Sequence, residues 1–326
     1  MDEHVEYEHM SRIYIRPLQW QAGGSGAKRV LYPYDLFIGT VGYETRAPFV
    51  LNSLVARPAL VVSAPLSEEV TPILERNRSA FAQVGEVLSH LDFRKHLAST
   101  LSSLETVRRV HSEPLRVCVD ISSMNRPRIA ETMLAFYADY PRAIDVDWMY
   151  APAKFSTKLL GAGPVRVNDS VPGFEGWADP IRPLHALVGA GLEGSLVLGV
   201  LDDLEPSETW IFEPFGIAKS YDDRIQKLNK DVFAAIPNER HFMYSILEPY
   251  TGFLKLSSLV NDLTRHGRVV IIPLGPKPFA LFAFLIGAED RENVSVWRLS
   301  TSSDRDPIDR VPTGQIVGLK GISSRT

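Results

Sequence analysis

From residue 35 onward the chain alternates short apolar runs with longer amphipathic stretches. Residues 35–40 and 59–64 are short apolar runs, and the second is rich in valine, as a strand buried on both faces would be. Residues 49–56 and 68–81 read as helices, and 93–110 places Leu97, Leu101 and Leu104 on one helical face. Residues 116–121 and 144–150 are again strand-like, with a helix over 129–140 between them. Strands alternating with helices predict an α/β fold with a largely parallel sheet covered on both faces. A short strand over 12–15 precedes this unit, separated from it by the loop Gly23-Gly24-Ser25-Gly26.

Residues 153–183 break the rhythm. They are rich in glycine and proline and read as a linker. The rhythm then resumes, with strands over 184–188, 209–213, 242–247, 268–274 and 294–299. Helices are predicted over 196–204, 222–235, 253–265 and 279–287, and a polar tail follows Thr301.

The two stretches resemble each other at an offset of about 150 residues. Glu44 falls on Glu193, Asn77 on Asn229, Arg116-Val117 on Arg268-Val269, Arg126-Pro127 on Lys277-Pro278, and Trp148 on Trp297. Any α/β chain resembles itself to a degree, but here strands, loops and helices match in register. The expected architecture is therefore two tandem Rossmann-like repeats with largely parallel sheets, related by a pseudo-twofold axis. The divisions are an N-terminal arm (1–33), repeat 1 (34–152), a linker (153–183), repeat 2 (184–300) and a C-terminal tail (301–326). Two like units pack as homodimers do, and a ligand cleft is expected where they face each other.

Composition narrows the chemistry. The 326 residues carry a formal net charge of −4, so direct DNA or RNA binding is not indicated. The single cysteine, Cys118, rules out an intrachain disulfide, and the eight histidines show no metal-ligand spacing. No cofactor and no metal site is evident. Residues 1–10 are acidic, unlike a secretory signal, and the longest apolar stretches, such as 279–287, are too short to span a membrane. A soluble, cytoplasmic protein without membrane contact is the expectation.

In parallel α/β sheets ligands sit beyond the carboxyl ends of strands, where helix N-termini converge. Four loops qualify. In the first, Gly39 and Gly42 would let the backbone approach a ligand, Tyr43 could stack on a base, Glu44 accept from ribose, and Arg46 hold a phosphate. A solvated turn is the plainer reading. The second, Asp120-Ile121-Ser122-Ser123-Met124-Asn125-Arg126-Pro127, gathers Asp120, Ser122, Ser123, Asn125 and Arg126 at a helix start; N-capping explains one of these residues but not the cluster.

The third loop runs from Gly189 to Gly194 and matches G-x-G-x-x-G, with Glu213 about twenty residues on. Close helix–strand packing is a better use for these glycines than a dinucleotide cofactor, because repeat 1 lacks the pattern. In the fourth, Gly275 to Pro278, Lys277 stands where Arg126 stands in the first copy, or is a solvated lysine in a proline-stiffened turn.

Residues 23–28 are no P-loop, and no G-x-S-x-G elbow is present. Glu68-Glu69 and Asp202-Asp203 read as exposed helix charges, Trp148 and Trp297 as core, and Cys118 as a buried strand residue.

The layout resembles the Rossmann-like sensor domains of prokaryotic antiphage immunity, the CARF and SAVED families. The 120–126 loop looks like the CARF strand-end loop, and the tandem repeat is similar to the fused pair of SAVED domains. The resemblance implies a cyclic oligonucleotide second messenger as ligand and a separate effector or partner protein.

Three readings remain open. One is a sensor for a small nucleotide-type ligand. Another is a nucleotide-processing hydrolase, a phosphodiesterase or glycosidic hydrolase, with Glu44 and Asp120 as acid–base groups. The third is a structural subunit of a larger assembly. The first copy is expected to supply most of the site's chemistry, and the second Lys277, glycine backbone and shape.

Overall fold

The computed structural model describes residues 12–18, 33–66, 71–107, 113–156, 165–301 and 308–324. The acidic N-terminus, the glycine loop at 23–26, the 23–28 segment and the Glu68-Glu69 pair lie outside the described residues. In chain order the first half contains β1 (Arg12–Pro17), β2 (Leu36–Val41), α1 (Phe49–Ser53), β3 (Leu60–Pro65), α2 (Pro72–Ala82) and β4 (Glu86–Val87). It continues with α3 (Phe93–Val107), β5 (Leu115–Asp120), α4 (Arg126–Leu134), a π-helical turn (Ala135–Asp139) and β6 (Ile144–Tyr150).

The second half contains β7 (Val165–Ser170), β8 (Leu184–Gly189), α5 (Gly194–Leu204), β9 (Glu208–Phe215), α6 (Lys219–Leu228), α7 (Lys230–Ala235) and β10 (His241–Ser245). Next come α8 (Pro249–Leu263), β11 (Arg268–Pro273), α9 (Lys277–Glu289), β12 (Val294–Thr301) and β13 (Val317–Ser324). The single charged helix expected over 222–235 is two helices that meet at Asn229.

Two sheets result, ordered β1-β13-β6-β5-β2-β3-β4 and β10-β9-β8-β11-β12-β7. Five parallel strands correspond one for one: β4-β3-β2-β5-β6 in the first sheet and β10-β9-β8-β11-β12 in the second. β2 and β8 sit at the centre and are buried at every position, as strands covered on both faces must be. The chain is α/β, with two similar, mostly parallel sheets as a tandem duplication would produce.

The linker and tail are corrected by this topology. β7, inside the stretch read as a linker, pairs antiparallel with β12 of the second sheet. β13, inside the stretch read as a tail, pairs antiparallel with β6 of the first sheet, and β1 of the N-terminal arm pairs with β13. Each repeat is therefore followed by a strand that crosses to the other repeat's sheet. A twofold relation between the copies would produce such an exchange.

β13 is fixed in place by charge as well as by its ladder. Lys320 Nζ lies 2.6 Å from Asp145 and 3.0 Å from Asp147, and the Tyr34 hydroxyl donates to Asp147 at 2.5 Å.

The helices that follow equivalent strands, α4 and α9, pack on each other, α8 also touches β1 and β13, and α9 touches β1. One cluster of buried apolar side chains runs from Ile13 through both repeats to Leu319. Trp148 is fully buried within it, Trp297 packs at its margin, and Cys118 is buried on the other face of the first sheet. Among the described residues no helix is long and apolar enough to cross a membrane.

Candidate functional site

The loops that leave the carboxyl ends of β2, β5 and β6 face those that leave β8, β9 and β11. Between them lies a cleft of about 330 Å³. Tyr43, Glu44, Arg46, Arg126 and Tyr150 line it from the first repeat, and Leu192, Glu193, Tyr221, Gly275 and Lys277 from the second. Residues 153–155 and Arg310 complete the wall. A smaller chamber of about 190 Å³ adjoins it, bounded by Gly42, Ser123, Met124 and Asn125 and sharing Tyr43, Glu44, Arg126 and Lys277.

Local sequence fixes the helix starts that frame the cleft. Asn125 caps α4 by accepting the Arg128 backbone N–H at 2.9 Å, and Pro127 occupies the first turn, where no amide hydrogen is required. α9 begins at Lys277-Pro278 in the same manner, although no side chain caps it.

Arg126 and Lys277 then do something reciprocal. The Arg126 Nε–H donates to the Pro273 carbonyl, and its second arm reaches the Gly275 carbonyl at 3.4 Å. Lys277 Nζ donates to the Ser122 carbonyl at 3.3 Å. Each cation at a helix start thus reaches into the loop that precedes the other helix.

Neither forms an ion pair with a described carboxylate. Both keep a little surface, and both line the cleft; protein encloses the rest of each side chain. Burial accordingly lowers the Arg126 pKa. It pulls Lys277 down to about 7, against the attraction of Glu44 and with the help of Arg46, Arg126 and Arg310.

Two of the expected ligand groups are committed inside the protein. Glu44 Oε2 accepts from Arg46 Nε at 2.7 Å and from Ser123 Oγ at 3.1 Å, while Arg310 Nε stands 3.6 Å from Oε1. Arg46 also donates to the Ala151 carbonyl at 2.8 Å and lies over the Tyr150 ring. Burial opposes its charge, but Tyr150 and Glu44 outweigh burial and raise its pKa. Its fork is used for holding loops together, not left open for a phosphate.

Asp120 and Ser122 line neither chamber. Asp120 is buried beneath the loop, where it accepts the Ser122 N–H at 2.9 Å, and burial pushes its carboxyl up to about 6. Ser122 Oγ accepts the Ala151 N–H at 2.8 Å. Both brace the loop from beneath. The other expected residues, Gly42, Tyr43, Ser123, Asn125, Arg126, Gly275 and Lys277, border one chamber or both.

The G-x-G-x-x-G glycines have a packing explanation. A Cβ on Gly191 would stand 2.2 Å from the Leu274 carbonyl oxygen, and one on Gly194 would stand 2.2 Å from that of Leu228. Glu213, the acidic residue downstream, accepts from Gln226. Among the described residues no group of His, Cys, Asp or Glu could hold a metal ion.

Several lining residues were not anticipated. Arg310 reaches the cleft because residues 308–313 strap across it: Asp309 accepts from the Thr45 N–H and hydroxyl at 2.6 and 2.7 Å, and Lys154 N–H donates to the Val311 carbonyl at 2.8 Å. Lys154 and Phe155 lie in the segment read as a linker. Glu193 was visible through its match to Glu44, yet it differs from Glu44 in one respect: its carboxylate accepts from no described residue. The second repeat thus lines the cleft with Glu193 and Tyr221 besides Lys277.

No protein-family model and no curated protein matches the chain. Fold and site together define an α/β protein of two Rossmann-like repeats with a polar cleft at their facing strand ends.

Proposed function

We propose that the protein binds a small, anionic, nucleotide-type ligand in the cleft between its repeats and acts as a sensor. The observation that carries this reading is the pair Arg126 and Lys277. Two largely enclosed cations that form no ion pair cost stability, and Glu193 and Glu44 attract them only from a distance. A bound anion at the cleft would offset that cost. The starts of α4 and α9, which bear these residues, add oriented N–H groups of the same sign. Tyr43, Tyr150 and Tyr221 border the same space and suit a base.

Sensing is favoured over turnover by the fate of the two acid–base candidates. Asp120 does not reach the cleft, and Glu44 is held by Arg46 and Ser123. The resemblance to CARF and SAVED domains supports a role in prokaryotic antiviral defence, with a separate effector as partner.

Calorimetry with a panel of mononucleotides, dinucleotides and cyclic oligonucleotides tests the reading. At least one should bind, and Arg126→Ala with Lys277→Ala should abolish binding while the melting temperature holds or rises. A ligand whose affinity is unchanged in both variants would sink the proposal.

A further inference from the structure

The size and the uneven walls of the cleft narrow the class of ligand. Its volume of about 330 Å³ falls at the small end of ligand pockets, which span about 300 to 1,000 Å³. A ring of several nucleotides needs several times the space of one. Enclosing such a ring between the two walls would require the repeats to part. The exchanged strands β7 and β13 and the shared core oppose such a separation.

The walls differ in chemistry. Arg126 and Lys277 form a cationic one. Phe155 and Tyr221 meet edge to face with ring centroids 5.6 Å apart and form an aromatic one. Glu193 adds a carboxylate that accepts from no described donor. A site for inorganic anions would need only the cations. Glu193 acts on Arg126 across the cleft and would repel a bare anion, whereas a ligand that also brought hydrogen-bond donors could pair with it.

We infer that the ligand is a nucleoside monophosphate, with its phosphate at Arg126 and Lys277, its base against Phe155 and Tyr221, and its ribose hydroxyls or exocyclic amine donating to Glu193. The assignment rests on the reading of the cleft as an anion-binding nucleotide site. It makes Glu193 the residue that separates a nucleotide from free phosphate.

The test is calorimetry on the full chain just below pH 7, with the four 5′-monophosphates, their nucleosides, inorganic phosphate and a cyclic tetranucleotide. At least one monophosphate should bind, with the matching nucleoside and inorganic phosphate each weaker by about tenfold or more, the worth of one charge-assisted contact. Glu193→Gln, close to isosteric, should weaken the monophosphate by a similar factor while inorganic phosphate binds as well or better, its repulsion by the carboxylate removed. Binding of the cyclic tetranucleotide without any monophosphate would overturn the ligand class and leave the anion cleft standing. So would inorganic phosphate binding as tightly as the monophosphates. Failure of every nucleotide and of phosphate to bind would remove the cleft reading itself.

Discussion

Asn77 and Asn229 hold equivalent loops of the two repeats by the same bond. Asn77 Nδ2 donates to the Gly42 carbonyl at 2.8 Å and to the Glu44 carbonyl at 2.9 Å. Asn229 Nδ2 donates to the Gly191 carbonyl at 2.9 Å and to the Ile225 carbonyl at 2.9 Å. Both side chains are buried, so water cannot replace them. Removing a buried donor and leaving its acceptor unpaired costs about 1–3 kcal/mol. Asn77→Ala and Asn229→Ala should each lower stability by about that much, read from the urea midpoint. Asn77→Asp should cost more, because it sets a carboxylate against two carbonyl oxygens. Midpoints within error of wild type would show that the loops hold without these bonds.

Lys277 gives stability a pH dependence of defined sign. Its pKa falls from 10.5 in the free side chain to about 7 in the fold. Between those values the unfolded chain carries a proton that the folded chain lacks. Stability therefore rises with pH across that window, and the full penalty stands below pH 7. Lys277→Met should be more stable than wild type at pH 6, with the difference vanishing toward pH 10.5. Ligand affinity should move the other way, falling in wild type as pH rises through 7 and staying flat in the variant. A stability difference that does not change with pH would refute the assignment.

Asp120 has the opposite signature. Burial lifts its carboxyl from 3.8 to about 6. Between those values the folded chain holds a proton that the unfolded chain has lost, so stability falls as pH rises through the window. Asp120→Asn keeps an oxygen for the Ser122 N–H and removes the charge. The variant should gain on wild type at pH 8 relative to pH 4 and should bind ligand unchanged. Loss of binding with stability intact would place Asp120 in the site after all.

The residues legible in the sequence were those with a strong local signal. β2, β3, β5 and β6 stood out because continuous apolar runs leave few alternatives, and the match of Asn77 to Asn229 marked a shared loop anchor. The exchanged strands were not legible. β7 is exposed or half-exposed along its length and offers no apolar face, and β13 carries two glycines and a lysine whose partners lie far away in the chain. Reading those segments as linker and tail hid Lys154, Phe155 and Arg310, which reach the cleft only through the strap at 308–313 and its pairing with residues 152–154. The mutual pairing of Arg46 and Glu44, both of which line the cleft, was hidden for a different reason. Residue type and spacing suggested a phosphate and a ribose, but the two side chains satisfy each other.

Glycines of the second repeat separate packing from propensity. Gly191→Ala and Gly194→Ala would each drive a methyl to 2.2 Å from a backbone oxygen, so a loop must move. Gly199, inside α5, has nothing within 4 Å of an added Cβ. Alanine there should stabilise the chain by about 0.5–1 kcal/mol, because it lowers the cost of holding the helix. The other two should destabilise it and, through the 189–194 loop, weaken ligand binding. Equal melting temperatures for Gly191→Ala and Gly199→Ala would contradict the packing account.

The exchange of β7 and β13 should make the two repeats unfold together. Each sheet depends on a strand that follows the other repeat in sequence, and the apolar core is continuous across the boundary. Lys320 offers a way to test the link. Its ammonium sits between Asp145 and Asp147, with side-chain exposures of 14 %, 19 % and 4 %, so its removal leaves largely buried carboxylates without their cation. Breaking such a pair costs about 3–5 kcal/mol. Lys320→Met should lower stability by that order, and adding Asp147→Asn should recover part of the loss. Variants retaining only Trp148 or only Trp210 report on the first and second sheets in turn. Their unfolding curves should coincide, and Lys320→Met should shift both by the same amount. If the Trp148 signal melts earlier while Trp210 holds, the repeats are independent and the exchanged strands do not couple them.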